Sequence, residues 1–115
     1  VKSINRGDVW LAALDPIVGR ELAKTRPVVV ISNEMANLRS GASTVVPVTS
    51  QRLEKIWPFE VFLPQGAGGL PKDSKAKADQ IRTLDHSRFI RRLGRLSPDF
   101  VEAVEHAILI HLGMD

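Results

Sequence analysis

The sequence predicts a mostly β domain, a small and strongly bent barrel closed by a C-terminal α-helix. Two observations carry this reading: four short apolar, β-branched runs are punctuated by Pro, Gly and Asp-Pro, and the hydrophobic period turns from strand-like to helical after Ser97. A third bounds it. The chain has 115 residues, 43% apolar and 25% charged, which suits one domain spanning residues 1–115.

Gly7-Asp8 leads into Val9, Trp10, Leu11, Ala12, Ala13 and Leu14, a first strand stopped by Asp15-Pro16. Pro27 opens Val28, Val29, Val30 and Ile31, whose unbroken apolar character predicts a strand buried on both faces. Thr44, Val45, Val46, Pro47, Val48 and Thr49 make a third strand, which Pro47 pushes towards an edge or a bulge. Phe59, Glu60, Val61 and Phe62 alternate as a fourth, and two or three shorter strands are expected between Lys75 and Leu96. Ser97 then fits an N-cap, Pro98 the first helical position and Asp99 the positive end of the helix dipole. Phe100, Val101, Val104, Ile108 and Leu112 recur at helical spacing until Gly113, a helix of about four turns.

Composition excludes several kinds of chemistry. With no cysteine, disulfide frameworks, thiolate zinc sites and cysteine nucleophiles are all ruled out. His106 and His111 are five apart, roughly 140° around a helix, and no His-x-x-x-His spacing occurs, so no metal site is expected and His86, His106 and His111 read as structural or solvated. No apolar stretch approaches the roughly 18 residues of a membrane span, and residues 1–6 lack a signal-peptide core, so a soluble cytoplasmic protein is expected. So short a chain has a thin core that a dimer interface would help.

Net charge is +3, and its distribution is uneven. Between Lys72 and Arg95 lie Lys72, Lys75, Lys77, Arg82, Arg88, Arg91, Arg92 and Arg95 against Asp73, Asp79 and Asp85, an excess of +5. The rest of the chain is slightly acidic. Such asymmetry suits a polyanion, nucleic acid first, although a solvated basic rim has the same composition.

The mixed-charge segment from Gly19 to Arg26 is a loop between two apolar strands, where function concentrates. Arg26 directly precedes Pro27, which favours extended backbone and places the guanidinium at the mouth of strand two, either clamping a phosphate or pairing with Glu21. Thr49, Ser50 and Gln51 cluster donors at the end of strand three, though Thr-Ser pairs also cap turns. Trp10 reads as core. Trp57, beside Pro58, reads as exposed, available to stack a base or to contact a second subunit.

Taken in order, these pieces resemble a known family. Arg6-Gly7-Asp8-Val9-Trp10, Asp15-Pro16, Gly19-Arg20-Glu21 and Arg26-Pro27-Val28-Val29-Val30-Ile31 resemble the opening of the MazF/PemK toxins. Val46-Pro47-Val48-Thr49-Ser50-Gln51, Pro58-Phe59-Glu60-Val61, residues 78–85 (Ala78-Asp79-Gln80-Ile81-Arg82-Thr83-Leu84-Asp85) and the terminal helix follow at matching intervals. The resemblance implies an SH3-like barrel of the plasmid-maintenance-toxin type, a homodimer, and endoribonuclease cleavage of single-stranded RNA with no cofactor. It places the catalytic pair on Arg26 and Thr49, with Glu21 as base or orienting partner. It also places Glu21, Gln51, Gln80 and Arg82 along the RNA groove, and the loop, hydroxyl, indole and basic residues read above, Gly19, Arg20, Ser50, Trp57, Lys75 and Lys77, complete the expected RNA-binding set. A MazE-like antitoxin, acidic and partly disordered, would block the same groove. Leu22 and Lys24 depart from the Gln and Gly that relatives often carry, which bears on the recognised sequence.

RNA cleavage of this kind runs by attack of a ribose 2′-hydroxyl on the adjacent phosphorus, leaving a 2′,3′-cyclic phosphate and a 5′-hydroxyl. Arg26 suits electrostatic stabilisation better than base catalysis, because a guanidinium pKa lies above about 12. Two other functions share this fold type, a CcdB-like gyrase poison and an RNA-binding barrel that does not cut. The former depends on a Trp-Gly-Ile end, whereas this sequence closes on Leu112-Gly113-Met114-Asp115.

Overall fold

The computed structural model describes residues 2–115. Its strands are β1 (Asp8–Ala13), β2 (Thr25–Val30), β3 (Ala42–Thr49), β4 (Glu60–Leu63), β5 (Ser74–Lys77), β6 (Arg82–Asp85) and β7 (Phe89–Arg95), with helices α1 (Glu34–Arg39) and α2 (Pro98–Leu112). All pairings are antiparallel, in the order β4-β5-β3-β2-β1-β7, with β6 also on β3. The expected barrel is barrel-like only in its curvature: the hydrogen-bonded path ends at β4 and β7 and does not close.

Strand β3 is the hub. One edge pairs with β2, and the other pairs first with β6 through Ala42–Val45 and then with β5 through Val48 and Thr49. Pro47 therefore does not mark a sheet edge. It falls in the two-residue gap where β3 changes partner, so its missing N–H coincides with a break already present on that edge.

Alternation along the central strands makes two cores. Val9, Val29, Val46 and Val48 face one side with Leu63, Leu70, Leu96 and Val104, while Trp10, Val28, Val30 and Val45 face the other with Leu14, Leu84 and Phe89. Val28, Val29 and Val30 are fully buried, as their continuous apolar run predicts. Trp10 is core, set edge-on to Phe89 with ring centroids 5.8 Å apart.

Helix α2 covers the first core through Val104 and Ala107, flanked by Phe100, Val101 and Ile108. Ser97 has the extended backbone of an N-cap but makes no capping hydrogen bond, and Gly113 ends the helix in the left-handed region at φ 71°. Leu112 leaves the expected stripe and is exposed. Helix α1 is not anticipated by periodicity. Its six residues are capped by Asn33, whose side chain accepts from the Ala36 amide at 2.8 Å, and it leaves Met35 and Leu38 exposed. Between β4 and β5 the chain lies backbone to backbone on β7: a Cβ on Gly69 (φ 78°) would overlap the Leu93 carbonyl.

Candidate functional site

The β2–β3 register pairs Val28 with Pro47, and two residues further along it sets Arg26 opposite Thr49. Their side chains meet. Arg26 donates from Nη1 to Thr49 Oγ1 at 3.3 Å and from Nε to the Ala23 carbonyl at 2.8 Å, so loop backbone aims the guanidinium. Arg26 forms no ion pair with Glu21 among the described residues. Thr49 Oγ1 also accepts from the Gln51 amide at 3.1 Å. With both acceptor positions of the hydroxyl used, its own O–H remains as a donor, which fits a group that binds a phosphate oxygen.

These two residues lie in a groove of about 740 Å³ lined by Arg20, Leu22, Arg26, Thr49, Gln51, Arg52, Lys75, Lys77, Asp79 and Gln80. Its walls are two loops and one turn. The β1–β2 loop is tied at its neck by Leu14 N–H to the Lys24 carbonyl at 2.8 Å and Lys24 N–H to Asp15 at 3.0 Å. It is also stitched across the groove, where Gln80 Oε1 accepts from the Leu22 amide at 3.1 Å.

The β3–β4 loop is held from beneath by a buried charge cluster. The Glu60 side chain is fully buried and that of Lys75 is 5% exposed. Glu60 accepts from Lys75 at 3.0 Å, from Lys77 at 2.8 Å and from the Trp57 amide at 3.0 Å. Lys75 Nζ also donates to the carbonyls of Arg52 at 2.9 Å and Lys55 at 3.0 Å. Burial pushes the Glu60 pKa up, but the hydrogen bonds from Lys77, Trp57 and Lys75 outweigh it and hold the carboxyl below its ordinary 4.5.

Seven expected site residues thus converge: Arg20, Arg26, Thr49, Gln51, Lys75, Lys77 and Gln80. Lys75 lines the groove, but its three ammonium donors are all engaged within the protein. Five residues stand apart from the groove lining. Glu21 is exposed and its Oε1 holds the Val18 amide at 2.6 Å. Gly19 supplies a turn at φ 57° in open space. Ser50 faces an adjoining cleft of about 210 Å³ that shares Arg26 with the groove and is also lined by Pro71, Lys72 and Ser74. Arg82 donates to the Leu14 carbonyl at 3.3 Å. Trp57 is exposed as expected, yet it stacks on Phe59 at 6.3 Å with Lys55 Nζ 4.5 Å from its ring centroid.

Sequence reasoning missed Leu22, Arg52 and Asp79 as groove residues. The Lys72–Arg95 charge excess also does not map onto one surface. Only Lys75 and Lys77 of its basic residues line the groove, whereas Arg88 donates to the Ala13 and Asp15 carbonyls and Arg92 and Arg95 flank buried Asp8 at 3.3 and 3.5 Å.

The histidines offer no paired imidazoles. Ser43 Oγ lies 2.9 Å from His86 Nε2 but donates to Asn37 Oδ1 at 2.7 Å, so the ring is the donor to a buried hydroxyl. No group of three or more His, Asp or Glu side chains is disposed to hold a metal ion among the described residues, nor is any described helix long and apolar enough to cross a membrane.

Known proteins share both sequence and shape with this chain. The family model for the PemK-like, MazF-like toxin of type II toxin-antitoxin systems matches residues 5–112. Endoribonuclease MazF9 of Mycobacterium tuberculosis is 40% identical over 116 residues, covering 96% of this chain and 98% of the relative. Among solved structures, MazF from Deinococcus radiodurans superposes with a TM-score of 0.86 at 30% identity, covering 99% of this chain and 100% of that one. A MazE–MazF structure from the same organism matches at a TM-score of 0.73 and 32% identity, covering 99% and 100%. On a family match over nearly its whole length, and a fold that agrees with it, the chain belongs to the PemK-like, MazF-like toxins of type II toxin–antitoxin systems.

Proposed function

We propose that this chain is a sequence-specific endoribonuclease toxin that cuts single-stranded RNA without a metal ion, working as a homodimer in the cytoplasm. The observation that carries the reading is the Arg26–Thr49 contact in a groove also lined by Arg20, Arg52 and Lys77. The relative from Mycobacterium tuberculosis is itself named an endoribonuclease.

A scissile phosphate seated there meets two kinds of donor. Arg26 has guanidinium N–H groups beyond the one held by Ala23, and Thr49 has its hydroxyl proton. As the 2′-hydroxyl attacks phosphorus, negative charge grows on the non-bridging oxygens, and donors already aimed there lower the barrier. The requirement for a 2′-hydroxyl makes DNA inert. Glu21 serves as base only if its loop closes over the RNA, because its carboxylate is engaged at Val18 and stands outside the groove lining. Gln51, Gln80, Arg20, Arg52 and Lys77 bind the strand on either side of the cut. A MazE-like antitoxin inhibits by laying an acidic segment on this basic surface; the relative from Deinococcus radiodurans is itself solved as a MazE–MazF structure.

The test is incubation of long mixed-sequence RNA with the protein in EDTA, beside Arg26→Ala, with mapping of cut sites and end chemistry. Discrete cuts with cyclic-phosphate ends, missing from the variant, are expected. Intact RNA across many sequences would overturn the enzymatic reading and turn attention to gyrase.

A further inference from the structure

Arg52 stands on the groove wall with its backbone in the left-handed region, at φ 54°. A residue with a Cβ is disfavoured there and persists only where its surroundings hold it. Lys75 supplies the hold. Its Nζ donates to the Arg52 carbonyl at 2.9 Å, to the Lys55 carbonyl at 3.0 Å and to Glu60 Oε1 at 3.0 Å. One buried ammonium rooted in β5 thus pins both ends of the turn at residues 52–55, and Glu60 fastens the chain beyond it by accepting from the Trp57 amide at 3.0 Å. The Arg52 side chain is left open. It is exposed, and among the described residues its guanidinium makes no hydrogen bond or ion pair. A fixed backbone beneath a free guanidinium presents a fork of donors without the loop having to be ordered when a ligand arrives.

We infer that Lys75 is a positioning residue for RNA binding, which touches no RNA itself and holds the turn that presents Arg52 to a backbone phosphate. This rests on the reading of the groove as an RNA site. Without the clamp the turn relaxes from its left-handed conformation, the guanidinium leaves the groove wall and one phosphate contact is lost. Arg26 is aimed separately, by the Ala23 carbonyl, so the clamp acts on binding more than on the chemical step.

The experiment measures binding of a mixed-sequence single-stranded RNA with 2′-O-methyl riboses, which cannot be cut, across a series of salt concentrations. Wild type is compared with Arg52→Gly, Lys75→Met and the double variant, each well below its melting temperature. Lys75→Gln, which retains an amide donor, is run in parallel in case Lys75→Met does not fold.

Arg52→Gly and Lys75→Met are each expected to bind roughly tenfold more weakly, with a slope of log K against log salt shallower by about 0.7, the loss of one phosphate contact on a single strand. In the double variant the second substitution should add nothing, whereas a Lys75 that acted through its own charge would weaken binding again. Arg52→Gly, relieved of the disfavoured backbone, should melt no lower than wild type. On cleavable RNA the Lys75 variants should raise KM and keep kcat. A Lys75 variant with the wild-type slope, or an effect of Lys75→Met that persists in full beside Arg52→Gly, would overturn the inference. If wild type binds no RNA, the groove reading fails and the inference with it. If it binds with these slopes but cuts nothing, the endoribonuclease reading fails while the role of Lys75 stands.

Discussion

Removing Glu60 should destabilise the protein more than removing Lys75, by about 1 kcal/mol, although the two form one ion pair. Glu60 is fully buried and answers two ammonium groups and the Trp57 amide. Glu60→Gln strips Lys75 of its carboxylate, and breaking one side of a buried pair costs about 3–5 kcal/mol. The amide oxygen still accepts one hydrogen bond, so the lower end, about 3 kcal/mol, is expected. For a domain of this size that is a fall in Tm of roughly 10–15 °C. Lys75→Met leaves Glu60 paired with Lys77 and loses the hydrogen bonds to Arg52 and Lys55, which at about 1 kcal/mol each gives about 2 kcal/mol. The double variant should lose less than the sum, because the groups touch. Thermal and urea unfolding at neutral pH measure all three. Equal losses, or strictly additive ones, would refute the idea that Glu60 is the centre of the cluster. The sign with pH follows from the depressed carboxyl pKa. Its stabilisation is complete above the unfolded value of about 4.5 and fades as pH falls through the lower folded value, so the gap between wild type and Glu60→Gln should narrow in acid.

Other outcomes follow from the same geometry. Arg26→Ala should lower the rate of RNA cleavage on the order of 100- to 1000-fold while Tm stays within a few degrees, read by single-turnover kinetics and circular dichroism. Thr49→Ser should keep most activity and Thr49→Ala lose it, since the hydroxyl proton is the working part; equal rates would remove Thr49 from the mechanism. Gln80→Ala frees the Leu22 amide and loosens the β1–β2 loop, so KM should rise more than kcat falls. Gly69→Ala should yield little folded protein, because its new methyl group overlaps the Leu93 carbonyl at a left-handed backbone position, and a normal melt would contradict that packing.

Most of the sheet is legible in the sequence because its strands advertise themselves. Residues 28–31 are continuously apolar and turn out buried on both faces, and the stretch after Ser97 changes period where α2 begins. Helix α1 is hidden because six residues are too few to show a period and its apolar side chains face solvent. Pro47 misleads because local rules for proline do not foresee a strand that exchanges partners midway. Arg26-Pro27 and the polar end of β3 stand out as features of local sequence, but it is the resemblance to the MazF/PemK toxins that singles out Arg26 and Thr49 as the proposed catalytic pair. Arg52 and Asp79 are not, because their place in the groove depends on how loops far apart in the chain are tied together. Lys75 shows the limit of reading charge from composition: a lysine looks like a phosphate ligand until its three acceptors are found inside the protein.

The pairing of β1 with β7 joins Asp8 to Arg95, nearly the first and last residues of the sheet. Synthesis proceeds from the amino end, so β1 lacks this partner until residues 89–95 have emerged, and β3 lacks β5 and β6 until residue 85 has done so. Contacts of such long sequence separation form late. An unfinished chain therefore has Arg26 and Thr49 but no groove around them, and it exposes the valines of both cores while it waits. For a toxin, this ties assembly of the groove to the emergence of residues 74–95.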